Sequence, residues 1–155
     1  MVSSIFLHSA GSILLRSAGA FLAVISFGLI LELPKKYLLH AGGVGGVGWM
    51  VYLLVELWVN SEPMAAFLSS LVVAGMSHIF ARKWKAPVTV FLVAGILPSV
   101  PGASIYRSVY YMIQDASSMA TFYLVQTLQI AGAIAMAVFF IDSLFRLGQD
   151  HERQP

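Results

Sequence analysis

Cysteine is absent from the 155 residues, which excludes disulfides, thiolate metal sites and Cys-X-X-Cys redox chemistry. Charge is scarce as well. Asp, Glu, Lys and Arg make up 10% of the chain, against ~25% in an ordinary soluble domain. Nine basic residues against seven acidic leave a net charge of +2, far too little for the electrostatic footprint of a nucleic-acid binder. No Ser/His/Asp set, His-Glu-x-x-His motif or pair of intramembrane carboxylates occurs, so enzymatic activity, a metal and a cofactor are not expected. His78 has no second His or carboxylate at metal-ligand spacing and reads as an interfacial residue near the end of an apolar run.

What is abundant is apolar. Hydrophobic residues reach 59% and the mean hydropathy is +0.84. A spanning helix needs roughly 20 apolar residues, so the length holds five spans and little else. The spacing predicts them over residues 17–33, 41–59, 64–81, 87–115 and 118–141, followed by a polar tail from Asp142 to Pro155. Runs of this length without strict alternation are helices in lipid, where each backbone group must be satisfied within its own segment. The expected fold is therefore an all-α integral membrane protein, one transmembrane domain with lipid as its main solvent. Nothing basic precedes Arg16 and no small-residue cleavage site follows, so the first run is expected to stay in the membrane.

The few charges set an orientation. Lys35 and Lys36, then Arg82, Lys83 and Lys85, then Arg146 and Arg153 fall on one side of a five-span layout. Glu62 and Asp115 fall on the other. The positive-inside tendency makes the basic side cytoplasmic, which puts the N-terminus outside and the C-terminus inside. Arg16 and Arg107 are the exceptions.

The fourth run is broken by Pro98-Ser99-Val100-Pro101-Gly102. From Pro87 to Leu97 is about 16 Å at ~1.5 Å per residue, half of a hydrocarbon core ~30 Å thick. The break is thus expected near the midplane. Two prolines remove two backbone donors, and Gly102 allows close approach or a left-handed turn. Irregular backbone at that depth is either a packing kink or the lining of a wet cavity, a recurring device of secondary transporters. The half-helix that follows would aim its N-terminal N–H groups at the break, an arrangement suited to a carboxylate. Ser104, Arg107, Ser108, Tyr111 and Asp115 recur on one face of that half-helix, with Ile105, Val109 and Met112 opposite. Arg107 is either the cation for a substrate carboxylate, an ion-pair partner of Asp115 or Glu56, or a snorkelling side chain. Glu56 reads as a coupling carboxylate or an ordinary interfacial residue.

Other features read first as packing. Ala41, Gly42, Gly45 and Gly46 form overlapping small-xxx-small pairs at the start of the second run. Ala131, Ala133, Ala135 and Ala137 offer a weaker version on the last. Tyr123, Gln126 and Gln129 make a polar ridge there, either interhelical glue or a permeation lining.

Gly95-Ile96-Leu97-Pro98-Ser99-Val100-Pro101-Gly102 with Tyr106, within the stretch Pro87 to Tyr106, resembles the signature of the threonine/serine exporter family. Pro34 with its following lysines, the glycine-rich start of the second run, the small residues from Ala66 to Ala74 and the basic segment before Pro87 also fit. The whole chain is similar to the short, C-terminal-type membrane subunit of that family. The resemblance implies a bipartite exporter of amino acids or succinate in a bacterial inner membrane, with a second, longer exporter-family subunit as partner. It assigns Pro98, Pro101, Gly102 and Tyr106 to the site. Ser104, Arg107 and Ser108 join them on the physical argument alone. The expected substrate is a small carboxylate. The competing reading is a membrane scaffold or assembly factor with no transport cycle. One broken span without an internal repeat implies that the other half of a carrier comes from another chain.

Overall fold

The computed structural model describes residues 2–151, with side chains described for residues 11–147. Arg153, counted above among the basic residues, lies outside the described residues. The described chain folds into six α-helices: α1 (Val2–Ile30), α2 (Lys35–Val59), α3 (Glu62–Trp84), α4 (Val88–Ile96), α5 (Gly102–Ile113) and α6 (Ser117–His151). A 3₁₀ turn, Leu97–Ser99, follows α4 directly. Four helices are long and apolar enough to cross a membrane, and a fifth span forms if α4 and α5 are counted as one, bent by 51° at the break.

Helix boundaries differ from the sequence reading where local chemistry is silent in composition. α1 ends at Ile30, three residues early, because Glu32 takes the left-handed conformation (φ 55°) and Leu33 donates its N–H back to Gly28 O at 2.9 Å. Lys85 and Asp115 end α3 and α5 in the same way, with Ala86 N–H to Ala81 O and Ala116 N–H to Tyr111 O, both at 3.0 Å. Glycine usually fills this position, so its absence hid the turns. α2 begins six residues earlier than the apolar run, at Lys35. The polar segment expected after Asp142 continues α6 as far as His151. Pro87 caps α4 rather than opening it.

The helices pack in sequence order, α1 along α2 and α2 along α3, and α3 then packs along α6. Glycines set the closeness of approach. A Cβ on Gly45 would lie 2.5 Å from Val24 Cγ2, and one on Gly42 would lie 2.8 Å from Ile25 Cγ1. Gly48 meets Val73 of α3 just as tightly, and Gly95 of α4 faces Val44 Cγ1 at 2.7 Å. The expected glycine seam is therefore a real contact line, and it joins α2 to three neighbours. Of the α6 alanines, Ala137 is fully buried, whereas Ala131 and Ala135 are exposed. Phe91 anchors the core of the basic end, fully buried and edge-on to Tyr37 and Phe80 at 5.5 and 6.0 Å. Large apolar side chains elsewhere face outward, among them Leu15, Ile30, Trp58, Ile113 and Phe139, as a lipid-facing surface requires.

The charges segregate in space as they do in sequence. Tyr37 Oη donates to Trp84 O at 3.4 Å, which holds Lys35 and Lys36 beside the Arg82–Lys85 cluster. Arg82 donates to Phe145 O at 3.4 Å and lies 4.8 Å over the Phe145 ring, which brings Arg146 to the same end. Asn60 and Glu62 occupy the opposite end with Gln126 and Gln129.

Candidate transport site

The two halves of the broken span keep different company. α4 packs on α1, α2 and α3, α5 packs on α6, and among the described residues the backbone of α4 stands clear of α6, as that of α5 does of α2 and α3. The break is therefore a crossing point, with a gap left on each side of it.

One gap is a cavity of about 320 Å³ on the Glu62 side, walled by Trp49 and Tyr52 of α2, Glu62 of α3, Ile130 of α6 and residues 98–104 of the break. No side chain caps the N-terminus of α5; Pro101 has no N–H and Gly102 donates to Val100 O at 2.8 Å, so the Ala103 and Ser104 N–H groups of the first turn are the ones left for this space. Trp49 and Tyr52 stack at 4.8 Å and present an aromatic wall. Beneath the break, Ser69 Oγ donates to Gly48 O at 2.7 Å and lies 3.2 Å from Ser99 Oγ, a polar link between α2, α3 and the 3₁₀ turn. The neighbouring Ser70 Oγ is buried without a hydrogen-bond partner. A second cavity of about 420 Å³ adjoins Glu62 and is lined by Asn60, Ser61, Pro63, Phe122, Val125, Gln126 and Gln129. Glu62 borders both.

Of the residues singled out from sequence, Pro98, Pro101, Gly102 and Ser104 meet at the first cavity. Gly102 does so without special conformation: among the described residues no glycine has a positive φ, and a Cβ there would meet nothing within 4 Å. The expectation of close approach or a left-handed turn is corrected accordingly. Ser104 and Ser108 are buried and Ile105, Val109 and Met112 exposed, as the periodicity required. Three of the seven lie away from the cavity. Ser108 donates to Ala120 O of α6 at 3.1 Å, a tie between helices. Tyr106 is 69% exposed and stacks on Tyr110. Arg107 is exposed, its guanidinium 5.4 Å over the Tyr123 ring. Neither Asp115 nor Glu56 pairs with it, since both ion pairs of the described residues belong to Asp142.

Residues 16–144 match the family described as threonine/serine exporter, ThrE. The chain belongs to the threonine/serine exporter family. The match runs through all the helices that bound the two cavities, and it makes this membrane protein a member of a transporter family. No solved structure matches the chain.

Sequence reasoning missed part of the exporter's cavity wall. Trp49 and Tyr52 carried no motif, Ser99 was noted only as part of the proline-glycine break, and Glu62 read only as a loop charge. Their common signal was position, since each lies in the half of its span on the side away from the lysines. Sequence spacing also hid a pairing at the basic end. His78 Nε2 lies 3.6 Å from Asp142 Oδ1, and Asp142 Oδ2 accepts from Arg146 Nε at 2.8 Å. His78 stacks on Phe145 with ring centroids 4.5 Å apart. Arg16 and Glu56 border one small cavity of about 210 Å³ between α1 and α2.

Proposed function

We propose that the chain is one subunit of a two-component secondary exporter of small amino acids of the threonine/serine type, in a bacterial inner membrane. The observation that carries this reading is the cavity at the break, where an uncapped helix start and an acidic residue border the same space. The α5 N-terminus suits the substrate carboxylate. Glu62 and the Trp49–Tyr52 wall suit an ammonium group, through charge and cation–π attraction. Ser99 and Ser104 offer hydroxyls to a hydroxylated side chain. A dicarboxylate such as succinate shares only the first of these interactions and would meet Glu62 as a like charge.

The need for a partner is argued from incompleteness. Secondary transporters commonly hold substrate between two repeats, and the described residues contain one broken span. Arg107, exposed and without an acidic partner, together with the Tyr106–Tyr110 face of α5, is assigned to the surface that meets the longer subunit. Arg107 would then close the site from the rim rather than line it in this chain alone.

The test is initial efflux of threonine, serine and succinate from preloaded cells that lack other exporters. The chain is expressed with and without a co-encoded longer family member, and efflux is normalised to membrane-inserted protein. Efflux of the hydroxy amino acids only when both chains are present is expected. Equal efflux with either chain absent, or succinate efflux alone, would contradict the proposal.

A further inference from the structure

The second gap at the crossing point lies on the basic side of the break. α4 and α6 stand apart there, and α3, which packs on both, adds His78 to the lining. The resulting groove holds about 700 Å³ and is more than twice the size of the cavity at the break. Its walls are apolar along most of their length, with Leu92, Ile96, Leu97 and Val100 facing Val138 and Phe139. Its polar members, His78, Thr89 and Asp142, collect at the end near the α3–α4 turn. From Val88 to Val100 is about 18 Å at ~1.5 Å per residue, close to the ~15 Å of one leaflet's hydrocarbon. The groove thus runs from the basic rim to the midplane and stops at the break.

The rim carries unbalanced positive charge. Asp142, the one acid in the lining, is already engaged by Arg146 at 2.8 Å. Arg82, Lys83 and Lys85 are exposed around the adjoining turn, and among the described residues none of them has an ion-pair partner. A leaflet-long apolar groove with exposed cations free of ion pairs at the turn just before Val88 matches the shape and charge of an anionic phospholipid. Zwitterionic headgroups would gain little from the same rim.

We propose that the α4–α6 groove binds one anionic phospholipid of the leaflet on the basic side, its acyl chain along α4 and its phosphate among Arg82, Lys83 and Lys85. The lipid fills the space that separates the first half of the broken span from α6. That is a different space from the cavity at the break, which lies on the other side and shares only Val100 with it.

The experiment uses the full chain, purified in mild detergent from membranes of known phosphatidylglycerol content. Retained phospholipids are extracted and quantified per chain. Phosphatidylglycerol is expected to be enriched over its bulk share by about fivefold for each engaged cation. Lys83→Gln with Lys85→Gln, exposed side chains that make no hydrogen bond or ion pair, should remove most of that enrichment while leaving the elution profile unchanged. Val138→Trp, which fills the groove, should displace the lipid altogether. A photo-crosslinker at Leu92 should capture lipid. Retention that mirrors bulk composition, or enrichment unchanged in the double variant, overturns the proposal. Capture of a protein segment at Leu92 also overturns it, because the groove would then be a subunit interface.

Discussion

Ser69 of α3 and Ser99 of the broken span share a buried hydrogen bond, 3.2 Å between hydroxyl oxygens. With its proton committed to Gly48 O at 2.7 Å, Ser69 acts as the acceptor and Ser99 as the donor. Three segments of the chain meet in that one contact, directly under the cavity at the break. Ser69→Ala is expected to destabilise the exporter by about 1 kcal/mol, in the range of ~0.6 to ~1.7 measured for interhelical hydrogen bonds in membranes. Ser99→Ala should cost less, since it removes only one bond. A double-mutant cycle on melting in detergent checks the pair, and the two losses should add to more than the double variant shows.

Gly48→Ala and Gly43→Ala make a matched comparison. A methyl on Gly48 would collide with Val73, whereas one on Gly43 meets nothing within 4 Å. Overpacking of this kind costs roughly 1–3 kcal/mol. At Gly43 the change should be neutral or mildly stabilising, because alanine is the better helix former by ~0.5–1 kcal/mol. Thermal unfolding of the two purified variants should separate them clearly. Equal stability would mean that α2 and α3 do not approach as closely as described.

Gly102→Ala should fold at least as well as the parent, because Gly102 opens α5 without a positive φ and a Cβ there is unobstructed. Any loss of transport in that variant would then report a crowded cavity rather than a damaged fold. A fall in melting temperature would show that the backbone at the break differs from the one described.

Reporter fusions test the orientation. The basic ends of α2, α3 and α6 are gathered at one end of the bundle by the Tyr37–Trp84 and Arg82–Phe145 contacts. One fusion at the C-terminus and another in the Asn60–Glu62 turn should report opposite compartments, cytoplasmic and external respectively. The same compartment for both would remove one span from the layout.

The apolar spans were legible because hydrophobic length is a strong signal in lipid, and so was the break, because two prolines cannot continue a helix. Helix ends were less so. Glu32, Lys85 and Asp115 adopt a conformation that glycine advertises and they do not. Around the cavity, Pro98, Pro101, Gly102 and Ser104 were legible together because they are neighbours in sequence. Glu62, Trp49 and Tyr52 reach the same cavity from two other helices, and only tertiary packing brings them there. Arg107 shows the reverse, a residue close in sequence that packing sets away from the cavity. Its periodicity matched Ser104 and Ser108, yet three residues turn a helix by 300° and four by 400°, so the stripe was wide enough to leave Arg107 outside while the serines face in.

The central claim is that the break lines a substrate cavity open to the Glu62 side, and the absence of cysteine makes it directly measurable. Ala103→Cys and Ser104→Cys would each be the sole thiol in the chain, and both positions line the cavity. In cells that also express the proposed longer partner, a membrane-impermeant maleimide added outside should label both. Threonine or serine should slow the reaction several-fold, and Glu62→Gln should weaken that protection. Ile105→Cys, exposed on the lipid-facing side of α5, should stay unlabelled. Labelling of Ala103→Cys and Ser104→Cys at an unchanged rate with either amino acid present, or labelling no faster than that of Ile105→Cys, would contradict the account.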